Sequence, residues 1–212
     1  MIKDKITQEL RDRFLQEINK SRDTGKERGF HLCIENDTKL SAGEICIGNE
    51  CSTRFQDVSI SCKGRKVQGD FHTHPYLDEA RKKFDIPPKI SDDSVRFTLK
   101  TFFEEKGRTS TTPSHTDAIS AILTKCSKRT EGTTCVGSDL DINQVECWTP
   151  KNIEDGDCLR ALVEQISPRG KGYKTMPHDW VEPLFEKEMI ELKSTTLKST
   201  KPKSTKQKSQ KR

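Results

Sequence analysis

No run of the 212-residue chain approaches the roughly 18–20 consecutive apolar residues of a membrane-spanning helix, so a membrane-embedded function is not expected. Apolar side chains are scarce at 30%, against roughly 45–50% (glycine included) in ordinary globular domains. A compact core running the full length is therefore not expected either. No Cys-x-x-Cys pair occurs among the eight cysteines, which argues against a zinc ribbon. The opening residues, Met1-Ile2-Lys3-Asp4-Lys5, lack the apolar segment and small-residue cleavage site of a signal peptide. A cytoplasmic location is the expectation. Acidic and aromatic residues are both missing from Lys193 to Arg212, where eight basic residues stand among Ser and Thr. This basic tail is expected to be disordered because it has too little apolar area to bury. It could hold nucleic acid through phosphate contacts, but it offers no ring for base stacking. Since the whole chain carries only +5, the body before the tail is mildly acidic.

What is present begins with an amphipathic stripe, Ile2, Ile6, Leu10, Phe14 and Ile18, the pattern of a helix packed on a core. It ends near Asp23-Thr24-Gly25. Short β-like runs follow at Phe30–Ile34, Glu44–Ile47, Cys51–Phe55, Val58–Cys62 and Val67–His72. Tyr76–Thr112 is a charged stretch broken by Pro87-Pro88, with a helix expected from Ser91 to Gly107 and an apolar face of Val95, Leu99 and Phe102. A further helix is expected from Ser114, carrying Ile119, Ile122, Leu123 and Cys126. A hairpin of Thr133–Val136 and Gln144–Trp148 comes next. The spacing then predicts two closing helices, one around Leu159–Ile166 and one over Trp180–Leu192.

The chemistry-bearing run is Gly69-Asp70-Phe71-His72-Thr73-His74-Pro75. Residues i and i+2 of a strand share a face, so His72 and His74 can approach one zinc ion, which in a catalytic site takes a third protein ligand and an open position. Two exposed or hydrogen-bonded histidines are the competing reading. Pro113-Ser114-His115-Thr116-Asp117 supplies a candidate third ligand, Asp117. The same Ser-x-x-Asp also reads as a capping box that merely satisfies free helix amides.

Taken together, His-x-His-Pro followed by Pro-Ser-x-x-Asp resembles the JAMM (JAB1/MPN/Mov34) metalloprotease family. Glu27-Arg28-Gly29-Phe30, after the first helix and at the start of the first β-run, resembles that family's upstream Glu. The resemblance spans about residues 2–150. It implies an α/β fold of the JAMM/MPN (cytidine-deaminase-like) type over residues 1–150, a central mixed β-sheet flanked by helices. Residues 76–112 would be a helical insertion, 151–192 a helical extension and 193–212 the disordered tail. It further implies Zn2+ held by His72, His74 and Asp117 with a bound water as nucleophile. Glu27 would be the general base and acid, and Ser114 a hydrogen-bond donor to the oxyanion. The expected activity is that of a zinc peptidase or isopeptidase acting on ubiquitin-like conjugates or C-terminal extensions. A catalytically silent scaffold of the same fold, or a nucleic-acid-associated protein working through the tail, are the alternatives.

Glu44 also opens a β-run and competes with Glu27, while Asp78, Asp92 and Asp93 compete less well with Asp117. The eight cysteines can be buried thiols, disulfides or a second metal site; Gly48-Asn49 is a hairpin signal that sets Cys46 opposite Cys51. His31, His115 and His178 have no partner pattern and are assigned no role.

Overall fold

The computed structural model of the chain describes residues 1–48, 62–128, 130–166 and 179–192. Among these, five α-helices and a mixed seven-stranded sheet build an α/β structure. The first helix, α1 (Gln8–Thr24), starts at Thr7, whose hydroxyl accepts the Leu10 N–H, and ends on Gly25 in the left-handed region, as capping chemistry favours. The strands are β1 (Arg28–Asn36), β2 (Lys39–Ala42), β3 (Cys46–Ile47), β4 (Val67–His74), β5 (Thr133–Ser138), β6 (Asp141–Pro150) and β7 (Phe185–Glu191). Their order is β2-β1-β4-β5-β6-β7, with β3 beside β2 on the outer edge of β1. Only β4 and β5 run parallel. Their crossover consists of α2 (Tyr76–Phe84), α3 (Asp92–Glu105) and α4 (His115–Cys126). A last helix, α5 (Asp155–Ile166), packs beside α4 through Ala161 in a shared apolar cluster.

The sheet curls around α1. Leu10, Phe14 and Ile18 bury their face against Phe30, Phe71, Val145 and Ile190, and the rings of Phe14, Phe30 and Phe71 meet at 4.6–5.8 Å between centroids. The N-terminal turn joins the two sheet edges, because Ile6 bridges to Leu40 of β2 while the Ile2 N–H donates to Glu188 of β7. The opposite face carries a second core in which Ile119 and Ile122 of α4 meet Trp148 and Phe185. Strand alternation divides the two faces. Phe71 and Thr73 look toward α1, where Thr73 donates to the Ser21 hydroxyl at 2.8 Å, and His72 and His74 look the other way. Gly69 is required where β4 and β5 close on each other, since a Cβ there would stand 1.7 Å from the Thr133 carbonyl oxygen.

Several expectations are corrected. Trp180–Leu192 is not a helix: after a short 3-10 turn at Glu182–Leu184 it becomes β7. Trp180, Val181, Leu184 and Phe185 imitate a helical stripe, but Glu188, Ile190 and Leu192 are buried with a period of two, and β6 offers a long edge that β7 pairs from Gln144 to Pro150. The expected helical extension of 151–192 thus closes with an edge strand of the same sheet. Phe102 is 51% exposed rather than packed, and Phe103 beside it turns inward. Helix α2 and strand β2 were not foreseen. The β-run expected at 51–55, the one expected at 58–62 apart from Cys62, and the tail at 193–212 lie outside the described residues, as do Cys51 and His178.

The cysteines form three disulfides among the described residues: Cys33–Cys62, Cys126–Cys158 and Cys135–Cys147. The last joins directly opposed residues of β5 and β6, and Cys126–Cys158 ties α4 to α5.

Candidate metal centre

His72 and His74 occupy the C-terminal end of β4, the end of a parallel pair at which α/β proteins commonly place their sites. The chain must then leave the strand sharply. Asp139, in the β5–β6 turn, holds this exit, its carboxylate accepting the backbone N–H groups of Tyr76 and Leu77 at 3.0 Å each. These are free amides of the first turn of α2, which has no side-chain cap of its own. Approaching from the crossover, Thr109 and Thr112 donate to Glu146 of β6 at 2.7 and 3.2 Å. That anchors the loop that delivers Ser114 and α4.

Ser114 caps α4. Its hydroxyl accepts the Asp117 N–H at 3.2 Å, and the Asp117 carboxylate accepts the Ser114 N–H at 2.8 Å. The capping box is therefore real, and it does not exclude the ligand reading. The same Oδ2 lies 3.3 Å from His72 Nε2 and 3.6 Å from His74 Nε2. One ligand atom from each of the three residues falls within 4.8 Å of the others. A tetrahedral zinc with bonds near 2.0–2.2 Å separates its ligand atoms by about 3.4 Å, so both of these distances suit a common ion.

The surroundings of His72 add to the distance. Its Nε2 is buried and makes no well-aligned hydrogen bond, although Asp117 Oδ2 stands 3.3 Å away. A buried polar atom left this way is costly, and a cation between the three residues removes the cost. Behind the ligands, His72 Nδ1 contacts Asp70 Oδ2 at 3.0 Å and His74 Nδ1 contacts the Tyr76 hydroxyl at 2.8 Å.

The electrostatics follow from this crowding. Burial pushes the His72 imidazole down, but the Asp117 carboxylate, with Asp70 behind, outweighs it and holds the group well above its ordinary value. Burial pushes the Asp117 carboxyl up, and His72 and His74 hold it well below the usual carboxylate range. Tyr76 is raised by burial, reinforced by Asp117, Glu79 and Asp139, and stays a neutral hydroxyl.

Glu27 does not join the converging trio. It precedes β1 by one residue, and the pairing of β1 with β4 ends at Gly29 opposite His72, two residues short of Glu27. Glu44 is exposed and follows Gly43, whose N–H donates to the His31 carbonyl. His31 lies four residues further along the chain than Glu27, about 13 Å at strand spacing. Arg81 takes up Asp92 and Lys82 takes up Asp78, while Asp93 pairs with Arg96, leaving all three aspartates engaged away from the histidines.

Sequence reasoning missed Asp70 and Tyr76 although both flank the histidines by two residues; only the folded rings reveal that each meets an Nδ1. It also left His115 without a role, whereas this buried imidazole pairs with Glu164 of α5. No protein-family model and no curated protein matches the chain.

Proposed function

We propose that the chain is a zinc-dependent hydrolase of amide bonds, a peptidase or isopeptidase of the JAMM type, with ubiquitin-like conjugates or C-terminal extensions as its substrate class. The observation that carries the reading is the convergence of His72, His74 and Asp117, whose ligand atoms lie within 4.8 Å of one another, with the Nε2 of His72 buried among them. A zinc ion bound there supplies Lewis acidity and hydroxide near neutral pH. The remaining work falls to the chain's own groups. Glu27, at the mouth of β1, accepts a proton and returns it to the leaving amine. Ser114 accepts the Asp117 N–H through its oxygen, which leaves its own O–H to donate to an oxyanion. Tyr76 and Phe103, with ring centroids 5.0 Å apart, carry the α2–α3 insertion up to His74 and give it a place in substrate choice.

The catalytically silent scaffold remains the second reading. It is favoured by the position of Glu27 outside the converging trio and by the capping role that Asp117 already fills. Disulfides persist in oxidising compartments and, in the cytosol, chiefly in hyperthermophiles. The three disulfides among the described residues therefore favour an extracellular or other oxidising compartment, and a cytoplasmic location only with a cytosol of that hyperthermophile kind.

Metal analysis of purified protein beside His72→Ala is the deciding test, followed by hydrolysis assays on isopeptide-linked and linear ubiquitin-like fusions. Stoichiometric zinc in the parent and its loss in the folded variant supports the centre. Equal zinc in both sinks it, and zinc without hydrolysis leaves the scaffold.

A further inference from the structure

The two histidines are braced differently, and the difference is chemical. His72 is braced from behind, by Asp70 two residues earlier on the same face of β4, at 3.0 Å from Nδ1. His74 is braced from in front, by Tyr76 two residues later, at 2.8 Å. A carboxylate can only accept, whereas a phenolic hydroxyl both donates and accepts. The contact with Asp70 therefore obliges His72 Nδ1 to carry the hydrogen, which reserves Nε2 for a metal. The contact with Tyr76 holds the ring of His74 in place but is satisfied with the hydrogen on either nitrogen. Asp70 is itself fixed, because the Thr134 hydroxyl of β5 donates to the same Oδ2 at 3.3 Å, and β5 pairs Thr134 directly with Asp70.

We propose that Asp70 is a positioning residue of the metal centre, setting the hydrogen of His72 on Nδ1 and so presenting Nε2 to the ion, and that Tyr76 is the weaker brace of the pair. The inference rests on the metal-centre reading above. It extends that reading from the three ligands to an outer chain running Thr134, Asp70, His72. Outer partners of this kind are typically worth 10–100-fold in metal affinity.

The test is zinc affinity by competition with a chromogenic chelator, on the full chain and on Asp70→Ala, Asp70→Asn and Tyr76→Phe. Each variant is checked for folding by circular dichroism. The Nδ1–H of His72 is followed in the zinc-loaded protein by proton–nitrogen correlation NMR. Asp70→Ala is expected to lose 10–100-fold in affinity and the slow solvent exchange of that proton. Asp70→Asn keeps an accepting oxygen and is expected to recover most of both, which a purely structural role for the carboxylate charge would not produce. Tyr76→Phe is expected to cost less than Asp70→Ala. Zinc affinity in folded Asp70→Ala equal to that of the parent overturns the proposal while leaving the centre intact, and so does a larger loss in Tyr76→Phe. Failure of the parent chain to bind zinc at all overturns the centre itself and this proposal with it.

Discussion

Asp117 Oδ2 stands 3.3 Å from His72 Nε2 while accepting the backbone N–H of Ser114 at 2.8 Å. One carboxylate oxygen thus joins the end of β4 to the start of α4, two elements separated in the chain by the whole of α2 and α3. The capping box fixes where this oxygen sits, and the histidines fix what it faces.

This double duty can be split by mutation. Asp117→Asn retains a carbonyl oxygen for the Ser114 N–H and removes the anionic ligand. Its thermal stability without metal is expected to fall only by the lost attraction to His72, while zinc retention in dialysis drops sharply. Ser114→Ala does the reverse, costing about 0.5–2 kcal/mol through the cap with zinc still bound, measured by urea unfolding. If Asp117→Asn holds zinc as well as the parent, Asp117 is a cap and nothing more.

Glu27→Gln keeps shape and hydrogen bonding but cannot accept a proton. Turnover is expected to fall by about 10²–10⁴, equivalent to roughly 3–5 kcal/mol of barrier, with zinc content unchanged. Glu44→Gln is expected to be neutral. The opposite pattern in steady-state assays would transfer the role to Glu44, and zinc loss in Glu27→Gln would make Glu27 a ligand.

The stability that zinc adds is expected to grow with pH. In the metal-free chain His72 is raised above its unfolded value by Asp117 and Asp70 against burial. Its contribution is complete below about pH 6.5 and is lost as pH rises through the raised folded value. Asp117 is depressed, so its contribution holds above the ordinary carboxylate range and is lost as pH falls through the lower folded value. Zinc requires the neutral imidazole, so binding must release the His72 proton and strengthens as pH rises. Melting curves at pH 6, 7 and 8 should therefore show the gap between zinc-loaded and metal-free protein widening with pH. A constant gap would show that no proton leaves His72 on binding.

Cys126–Cys158 closes a separation of 32 residues, for which chain entropy gives about 3–4 kcal/mol. Cys158→Ser is expected to lose stability of that order in urea unfolding. Zinc should stay, because Cys126 is at the far end of α4 from Asp117, about 13 Å along the helix. Non-reduced peptide mapping that recovers Cys126 and Cys158 as free thiols would remove the bond from the protein.

Local periodicity made much of this molecule legible from its sequence. The stripe from Ile2 to Ile18 is the buried face of the N-terminal turn and α1, the Ser91 and Ser114 caps open α3 and α4, and strand alternation puts His72 and His74 on one face. Those features depend on residues two to four positions apart, which is the range over which sequence spacing constrains geometry. The mixed sheet flanked by helices is what the family resemblance implies, not something the spacing shows. Only the tertiary structure decided the rest. Phe185–Glu191 became a strand because β6 presented an edge to pair, overriding a helical stripe in its first residues. The convergence of Asp117 with the histidines, the recruitment of Asp139 to cap α2, and the bracing of His72 by Asp70 and of His74 by Tyr76 depend on how strands cross and side chains turn. Contacts across a crossover are set by packing and loop closure, which leave no period in the chain for spacing to reveal.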